Sequence, residues 1–378
     1  SGATVRVSIS PAGWYGGNVL FINNGDGTFD RAGAGVFGGY DLSTVRGFTP
    51  RFCDFTGNGY PDLLLVADFF TSQVFNNKGD GTFARTTEWW GAGLDSNGMG
   101  GTTGDFNNDG RVDWYVTSRI SQYDGSGNML YMTTENGFDE RSVDAGVNWG
   151  DWGWGTDAVD FDHDGWLDLV ATNGWNAGPF ENDPTRVWRN LGDPEGRFED
   201  VTAASGLDHT GQGRGLLTFD ADGDGDREIV IASHNQTLAY FRNDLDGPAS
   251  VTLDFDTSGV ANLAPDGFGT RVELDAAGST QVRYLDGGSN YQGQSELSVH
   301  FGLGAAPRAD EIRVTWADGE TTTLLGVEPG RHTITARRGC PIDWNVDGLL
   351  DLADVTGWVD AFVNRHPQGD LNADGVYD

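Results

Sequence analysis

The chain is nearly without lysine. Lys78 is the only one, and 23 basic side chains stand against 57 acidic ones, a formal net charge of −34 over 378 residues. A surface this negative repels nucleic-acid phosphates and anionic membrane, which excludes both as partners. Cysteine is almost as scarce. Cys53 and Cys340 lie far apart, make no disulfide framework, and say little about compartment. No apolar run approaches the ~18 residues of a membrane span. The best, residues 63–70, is short and contains Asp68. There is no signal peptide, and a chain that starts with Ser1 is expected to be processed, trimmed or part of a longer one.

What is present points to β-structure. Hydrophobic residues at 37%, with 12% aromatics, suffice for packed cores and exclude a wholly disordered acidic chain. The length predicts two or three domains. Fifty-eight glycines favour tight turns and short strands. The acid excess is itself lopsided, 45 Asp against 12 Glu. Asp is a turn former and a metal ligand, whereas Glu is the usual residue of solvated helical faces.

Internal repeats decide the fold. Four stretches align: Asp54-Phe-Thr-Gly-Asn-Gly-Tyr-Pro-Asp62, Asp105-Phe-Asn-Asn-Asp-Gly-Arg-Val-Asp113, Asp160-Phe-Asp-His-Asp-Gly-Trp-Leu-Asp168 and Asp220-Ala-Asp-Gly-Asp-Gly-Asp-Arg-Glu228. Each precedes a short apolar strand, predicted over 63–67, 114–117, 169–172 and 229–232. A second signal follows, a strand running into an Asn/Gly/Asp turn and a Phe, as at 23–29, 76–83 and 190–198. Asp-Gly between alternating apolar residues marks a hairpin. About four short strands per ~50-residue unit reads as one blade of a propeller.

The loops have their own chemistry. Oxygen-bearing side chains at positions 1, 3, 5 and 9 wrap the chain around a hard cation, position 7 adds its backbone carbonyl, and Gly at position 6 allows the bend. No His or Cys is needed, which favours Ca²⁺ over zinc or copper. Asp/Asn/Gly clusters also make ordinary turns, but four copies in register, each ahead of a strand, argue against that. The first loop is expected to bind least tightly, because Thr56 and Asn58 replace carboxylates.

This pattern, over residues 1–247, resembles the FG-GAP (VCBS-type) repeats of integrin-like β-propellers. The resemblance implies ions on one face of the propeller, in loops joining the two inner strands of a blade. The ligands it implies are Asp54, Thr56, Asn58, Tyr60 and Asp62 in the first loop, and Asp105, Asn107, Asp109, Arg111 and Asp113 in the second. The third offers Asp160, Asp162, Asp164, Trp166 and Asp168, and the fourth Asp220, Asp222, Asp224, Asp226 and Glu228. Four complete loops and an N-terminal partial blade fall short of the family's usual seven blades. The ring is small, begins upstream, or is completed by another molecule.

At Gly247-Pro248 the Asp density falls and alternating segments begin, predicting a small antiparallel β-domain over 248–338. Gly267-Phe-Gly-Thr-Arg-Val-Glu-Leu274, Gly287-Gly-Ser-Asn-Tyr-Gln-Gly-Gln-Ser295, His300-Phe-Gly-Leu-Gly304 and Val314-Thr-Trp-Ala-Asp-Gly319 resemble the ASPIC/UnbV domain, which carries no established catalytic residues. Residues 339–378 hold two further loops of EF-hand type. The first has Asp343, Asn345, Asp347, Leu349, Asp351 and, at position 12, Asp354; the second has Asp370, Asn372, Asp374, Val376 and Asp378. Leu352, Val355, Val359 and Phe362 follow the first loop as one apolar helical face. The pair looks like an incomplete dockerin-like module, in which Cys340 would find a partner only further along.

Catalysis finds little support. None of His163, His209, His234, His300, His332 and His366 falls in a nucleophile or zinc motif. His163 occupies position 4 of a loop, which normally points outward, and His300 is expected to be packed. Trp149, Trp152 and Trp154 would form a sugar-stacking surface or, the preferred reading, aromatics buried between blades. Cys53 is expected to be a buried thiol. The sequence thus predicts an all-β, secreted, calcium-binding, non-enzymatic surface protein for adhesion or assembly, with filaments as one form. Its partners would be copies of itself, a cohesin-like protein or glycans. The rival is a carbohydrate-binding or polysaccharide-lyase propeller.

Overall fold

The first strand of the second sheet, Arg46–Cys53, alternates between half-buried and buried side chains along its whole length. Its neighbour Asp62–Asp68 is buried on both sides almost throughout, so it is an interior strand covered on both faces. The two patterns recur down the chain. In the computed structural model the described residues are 5–9, 17–24, 27–120, 126–245, 247–286, 289–336 and 352–364. They fall into two compact units.

The first unit is a succession of antiparallel meanders. Strands β1 (Val5–Ile9), β2 (Asn18–Asn23) and β3 (Phe29–Arg31) make a three-stranded sheet. Strands β4 (Arg46–Cys53), β5 (Asp62–Asp68), β6 (Gln73–Asn77) and β7 (Phe83–Arg85) make the next, followed by the short helix α1 (Thr87–Trp90). The third sheet has β8 (Gly101–Gly104), β9 (Asp113–Val116), β10 (Met129–Thr134) and β11 (Gly137–Glu140). The fourth has β12 (Gly153–Val159), β13 (Asp168–Asn173), β14 (Arg186–Asn190) and β15 (Phe198–Asp200). The last has three strands, β16 (Gly213–Phe219), β17 (Glu228–Ser233) and β18 (Ala239–Phe241). The four apolar strands read from the sequence are β5, β9, β13 and β17.

The cores lie between successive sheets. Tyr115 and Leu130 of the third sheet and Phe106 of the loop before β9 pack with Leu169 and Trp188 of the fourth and Leu167 of the loop before β13. Val170 and Val187 meet Leu216 and Ile231 in the same way. The first strands β4, β8, β12 and β16 adjoin one another in order. These sheets do not close a ring among the described residues.

The second unit has two sheets around one core. Strands β19 (Ser250–Asp256), β20 (Arg271–Ala276) and β21 (Ser279–Tyr284) precede the short pair β22 (Ser289–Asn290) and β23 (Gly293–Gln294). Strands β24 (Val299–Gly302), β25 (Ala309–Thr315), β26 (Thr321–Val327) and β27 (Gly330–Thr335) follow. One sheet runs β24-β19-β27 and the other β21-β20-β25-β26. Val251, Leu253 and Phe301 from the first meet Val272, Ile312 and Val314 from the second in a shared core. The domain is not wholly antiparallel, since β19 pairs with β27 in parallel from Val251↔Gly330 to Asp256↔Thr335. Period-2 alternation cannot distinguish the two pairings, because it fixes which face is buried and not the direction of the neighbour.

Two short stretches group across the chain order. Asp286–Glu296, which carries β22 and β23, packs within the first unit, and Asp162–Gly165 groups with the second. Helix α2 (Leu352–Val363) follows the first EF-hand-type loop, with Val355 and Val359 exposed rather than packed. Asp343, Asn345, Asp347, Leu349 and Asp351, the second loop from Asp370 to Asp378, and Cys340 and His366 lie outside the described residues, as does the Asp354 side chain. No described helix is long and apolar enough to cross a membrane.

Candidate metal-binding loops

Each of the four nine-residue loops joins the first strand of a sheet to the second, so position 1 directly follows one strand and position 9 begins the next. Position 6 is a glycine with positive φ in all four: Gly59 at 85°, Gly110 at 86°, Gly165 at 96° and Gly225 at 97°. Position 4 is left-handed too, at Gly57 (71°), Asn108 (52°), His163 (57°) and Gly223 (80°). Only the histidine is a poor choice there, at a cost of about 1–2 kcal/mol. It is also not outward-pointing as expected. His163 is buried, with Nδ1 2.9 Å from the Pro248 carbonyl oxygen and its ring 4.9 Å from that of His300. Packing within the second unit holds the ring and offsets the strain.

The position 1 carboxylates gather backbone N–H groups from their own loop. Asp54 Oδ1 accepts from Asn58 and Oδ2 from Gly59, at 3.0 and 2.7 Å. Asp105 Oδ1 and Oδ2 accept from Asp109 and Gly110 at 3.0 and 2.8 Å. Asp220 accepts from Gly223 and Gly225 at 2.7 and 3.2 Å. These three loops are thereby coiled around their first residues.

The position 9 acids reach in two directions. Asp62 accepts from Thr56 N in its loop and from Asn77 N on β6. Asp113 accepts from Phe106 N and Thr133 N, and Asp168 from Phe161 N and Asn190 N. Glu228 Oε2 accepts from Ala221 N at 2.6 Å. All four acids are buried. Burial pushes the Asp62 carboxyl up to about 7, raises Asp113 well above the carboxylate range, and raises Glu228.

Two loops bring their acids together. Oxygens of Asp220, Asp222 and Glu228 lie within 4.8 Å of one another, as do oxygens of Asp160, Asp162 and Asp168. In the fourth loop the buried Glu228 carboxyl takes the Ala221 and Asn243 backbone amides. A buried carboxylate held this close to two further acids is costly unless a cation joins them. The donor set is all oxygen, which suits a hard ion such as Ca²⁺. Asp224 and Asp164, at position 5, are not part of these groups. Asp109 Oδ1 accepts from Arg111 N, Asn107 Oδ1 from Asp109 N, and Asn58 Oδ1 from Tyr60 N. The first and second loops are thus coiled but their acids are not drawn together in the same way. Thr56 Oγ1 donates to Asp54 at 3.3 Å. Tyr60, Arg111, Trp166 and Asp226 stand at position 7, where only the carbonyl would serve.

Residue spacing missed a set of asparagines. Asn190 donates from Nδ2 to the Phe106 carbonyl of the second loop at 2.9 Å, and Asn243 to the Phe161 carbonyl of the third at 3.0 Å. Asn77 donates to the Pro61 carbonyl at 2.9 Å. Asn77 and Asn190 sit at the Asn that leads into an Asn/Gly/Asp hairpin, which is the signal that would have found them.

The opposite ends of the strands carry the tryptophans. Trp152, Trp154 and Trp175 lie nearly parallel with centroids 4.9–6.2 Å apart, and the Arg214 guanidinium covers Trp154 at 3.9 Å. Trp154 Nε1 donates to the Gly174 carbonyl. These rings are occupied with one another; of Trp149, Trp152 and Trp154, the first is largely exposed. Cys53 is a buried free thiol, raised by desolvation.

Residues 54–116 match the FG-GAP-like repeat family, and residues 260–339 match the family described as ASPIC and UnbV. The chain is similar to cartilage acidic protein 1 of Mus musculus, 30% identical over 308 residues, covering 76% of this chain and 42% of the relative. The protein of that name from Homo sapiens is 29% identical over 266 residues, 65% of this chain and 37% of the relative. The chain therefore spans well under half the length of these curated relatives. Among solved structures, the V. cholerae biofilm matrix protein Bap1 aligns at a TM-score of 0.31 and 12% identity, over 86% of this chain and 59% of that one.

Proposed function

We propose that the chain is a non-catalytic, calcium-binding module of an extracellular adhesion or matrix protein, with its FG-GAP repeats arranged as part of a propeller. The observation that carries the ion is the fourth loop, where one oxygen each of Asp220, Asp222 and the buried Glu228 lies within 4.8 Å of the others. The extracellular setting is supported by the relatives, which are named for cartilage, a tissue built largely of extracellular matrix. Calcium would neutralise clustered carboxylates that otherwise repel at close range in a chain of net charge −34. It would also stabilise the fold by binding only the native state. Assembly into larger structures, through copies of the chain or a docking partner, belongs to the same reading.

Calorimetric titration of chelator-stripped protein with Ca²⁺ and Mg²⁺ tests the ion. Calcium binding with a rise in melting temperature is expected, and no binding at millimolar calcium would overturn it. Light scattering in millimolar calcium and then in EDTA tests assembly. Large species that dissociate on chelation are expected, and a monomer in both would leave a binding module that works singly.

A further inference from the structure

Asp286 and residues 290–296 are held by the first strands of four successive sheets. Asp286 pairs with Arg51 of β4 at 2.8 Å and accepts from Thr103 Oγ1 of β8 at 2.6 Å, both acid and arginine being almost fully buried. Ser295 Oγ donates to Asp157 of β12 at 2.5 Å and accepts from Thr218 N of β16 at 3.1 Å. Asn290 donates to the Leu216 carbonyl at 2.9 Å, Glu296 N to the Thr218 carbonyl, and Arg227 pairs with Glu296. The approach is close. A Cβ on Gly293 would stand 2.1 Å from the Leu216 carbonyl oxygen, and one on Gly215 2.7 Å from that of Gln292.

The anchoring residues all lie two or three positions ahead of a loop. Arg51 is three residues before Asp54, Thr103 two before Asp105, Asp157 three before Asp160 and Thr218 two before Asp220. An ion held by those position 1 acids fixes the strand ends on which the segment rests. The segment in turn ties the same four ends together.

We infer that the first strands form a receptor surface for this glycine-bearing segment, and that its seating and ion binding in the four loops strengthen each other. The inference rests on the calcium reading above. It needs no contact between segment and ion, because both act on the same strand ends. Such coupling is reciprocal by thermodynamic necessity and is typically 5- to 150-fold in affinity. The element that shifts is the segment itself, docked or undocked.

The test uses the full chain. Hydrogen exchange of residues 290–296, measured in EDTA and in calcium, is expected to slow in calcium by roughly tenfold or more. In the other direction, Gly293→Ala is expected to weaken calcium binding by roughly tenfold at unchanged stoichiometry, while Gly259→Ala, which meets only a carbonyl at 3.9 Å, leaves it unchanged. Should Gly293→Ala fail to fold, Ser295→Ala replaces it, and the wild-type exchange measurement stands without either variant. Calcium binding with no change in exchange, and equal affinities in the variants, would overturn the coupling and leave the ion reading intact. A wild type that binds no calcium would overturn the ion reading, and the coupling with it.

Discussion

Asp113 accepts the backbone N–H of Thr133 at 2.7 Å, twenty residues further along the chain, while its other oxygen takes Phe106 N inside the loop. One carboxyl group therefore pins both the loop and the third strand of the sheet. Asp113→Ala leaves two buried N–H groups unpaired, at about 1–3 kcal/mol each. Chemical denaturation should show a loss of about 2–6 kcal/mol, and Asp113→Asn, which keeps one acceptor oxygen, a smaller one. Equal stability of all three proteins would refute the bridging role.

Asp95 gives a pH signature free of the loops. It is fully buried, its carboxyl is pushed up to about 7 chiefly by desolvation, and Oδ2 lies 2.6 Å from Ser72 Oγ. That hydroxyl accepts from Ala67 N and has one proton for two acceptors, the Ala67 carbonyl and Asp95. A protonated Asp95 resolves the shortage by donating. Because the folded pKa lies above the ordinary 3.8, the native state holds a proton that the unfolded chain has released. This contribution is fully present below 3.8 and is lost as pH rises to about 7. The wild type minus Asp95→Asn difference in unfolding free energy should decline across that window and then level off. A pH-independent difference would show that Asp95 is ionised when folded.

Phe69 and Phe70 are consecutive left-handed residues, with φ of 56° and 57°, in a turn closed by Thr71 N to the Asp68 carbonyl. Both rings are more than half exposed. Asn-Gly is the sequence such a turn favours. The double substitution Phe69→Asn and Phe70→Gly should stabilise the fold by about 1–2 kcal/mol, read as a higher denaturation midpoint. A lower midpoint would mean that the rings pack more than their exposure implies.

Loop occupancy should follow carboxylate number and proximity. Asp222→Asn is expected to remove a tight calcium step from a calorimetric titration, whereas Asp54→Asn alters only the weakest. The reverse order would show that proximity of the acids does not rank the sites.

Much of this was legible from residue spacing. The four nine-residue loops and strands β5, β9, β13 and β17 followed from Asp, Gly and apolar positions that act locally. The second role of Asp62, Asp113 and Asp168 was not, because their partners Asn77, Thr133 and Asn190 are brought near only by the sheet. His163 misled for the same reason: position in a loop says nothing about what packs on it. The docking of Asp286–Glu296 was hidden as well, since its sequence reads as part of the ASPIC/UnbV-like β-domain until Leu216 is seen beside Gly293.

The coiling of three loops around their first acids has a kinetic corollary. Asp54, Asp105 and Asp220 take the backbone amides of their own loops. A cation entering there meets carboxylates whose orientation those amides hold. Its entry rate should be governed by how fast the ion sheds water, and differences in affinity between loops should appear mainly as differences in escape rate.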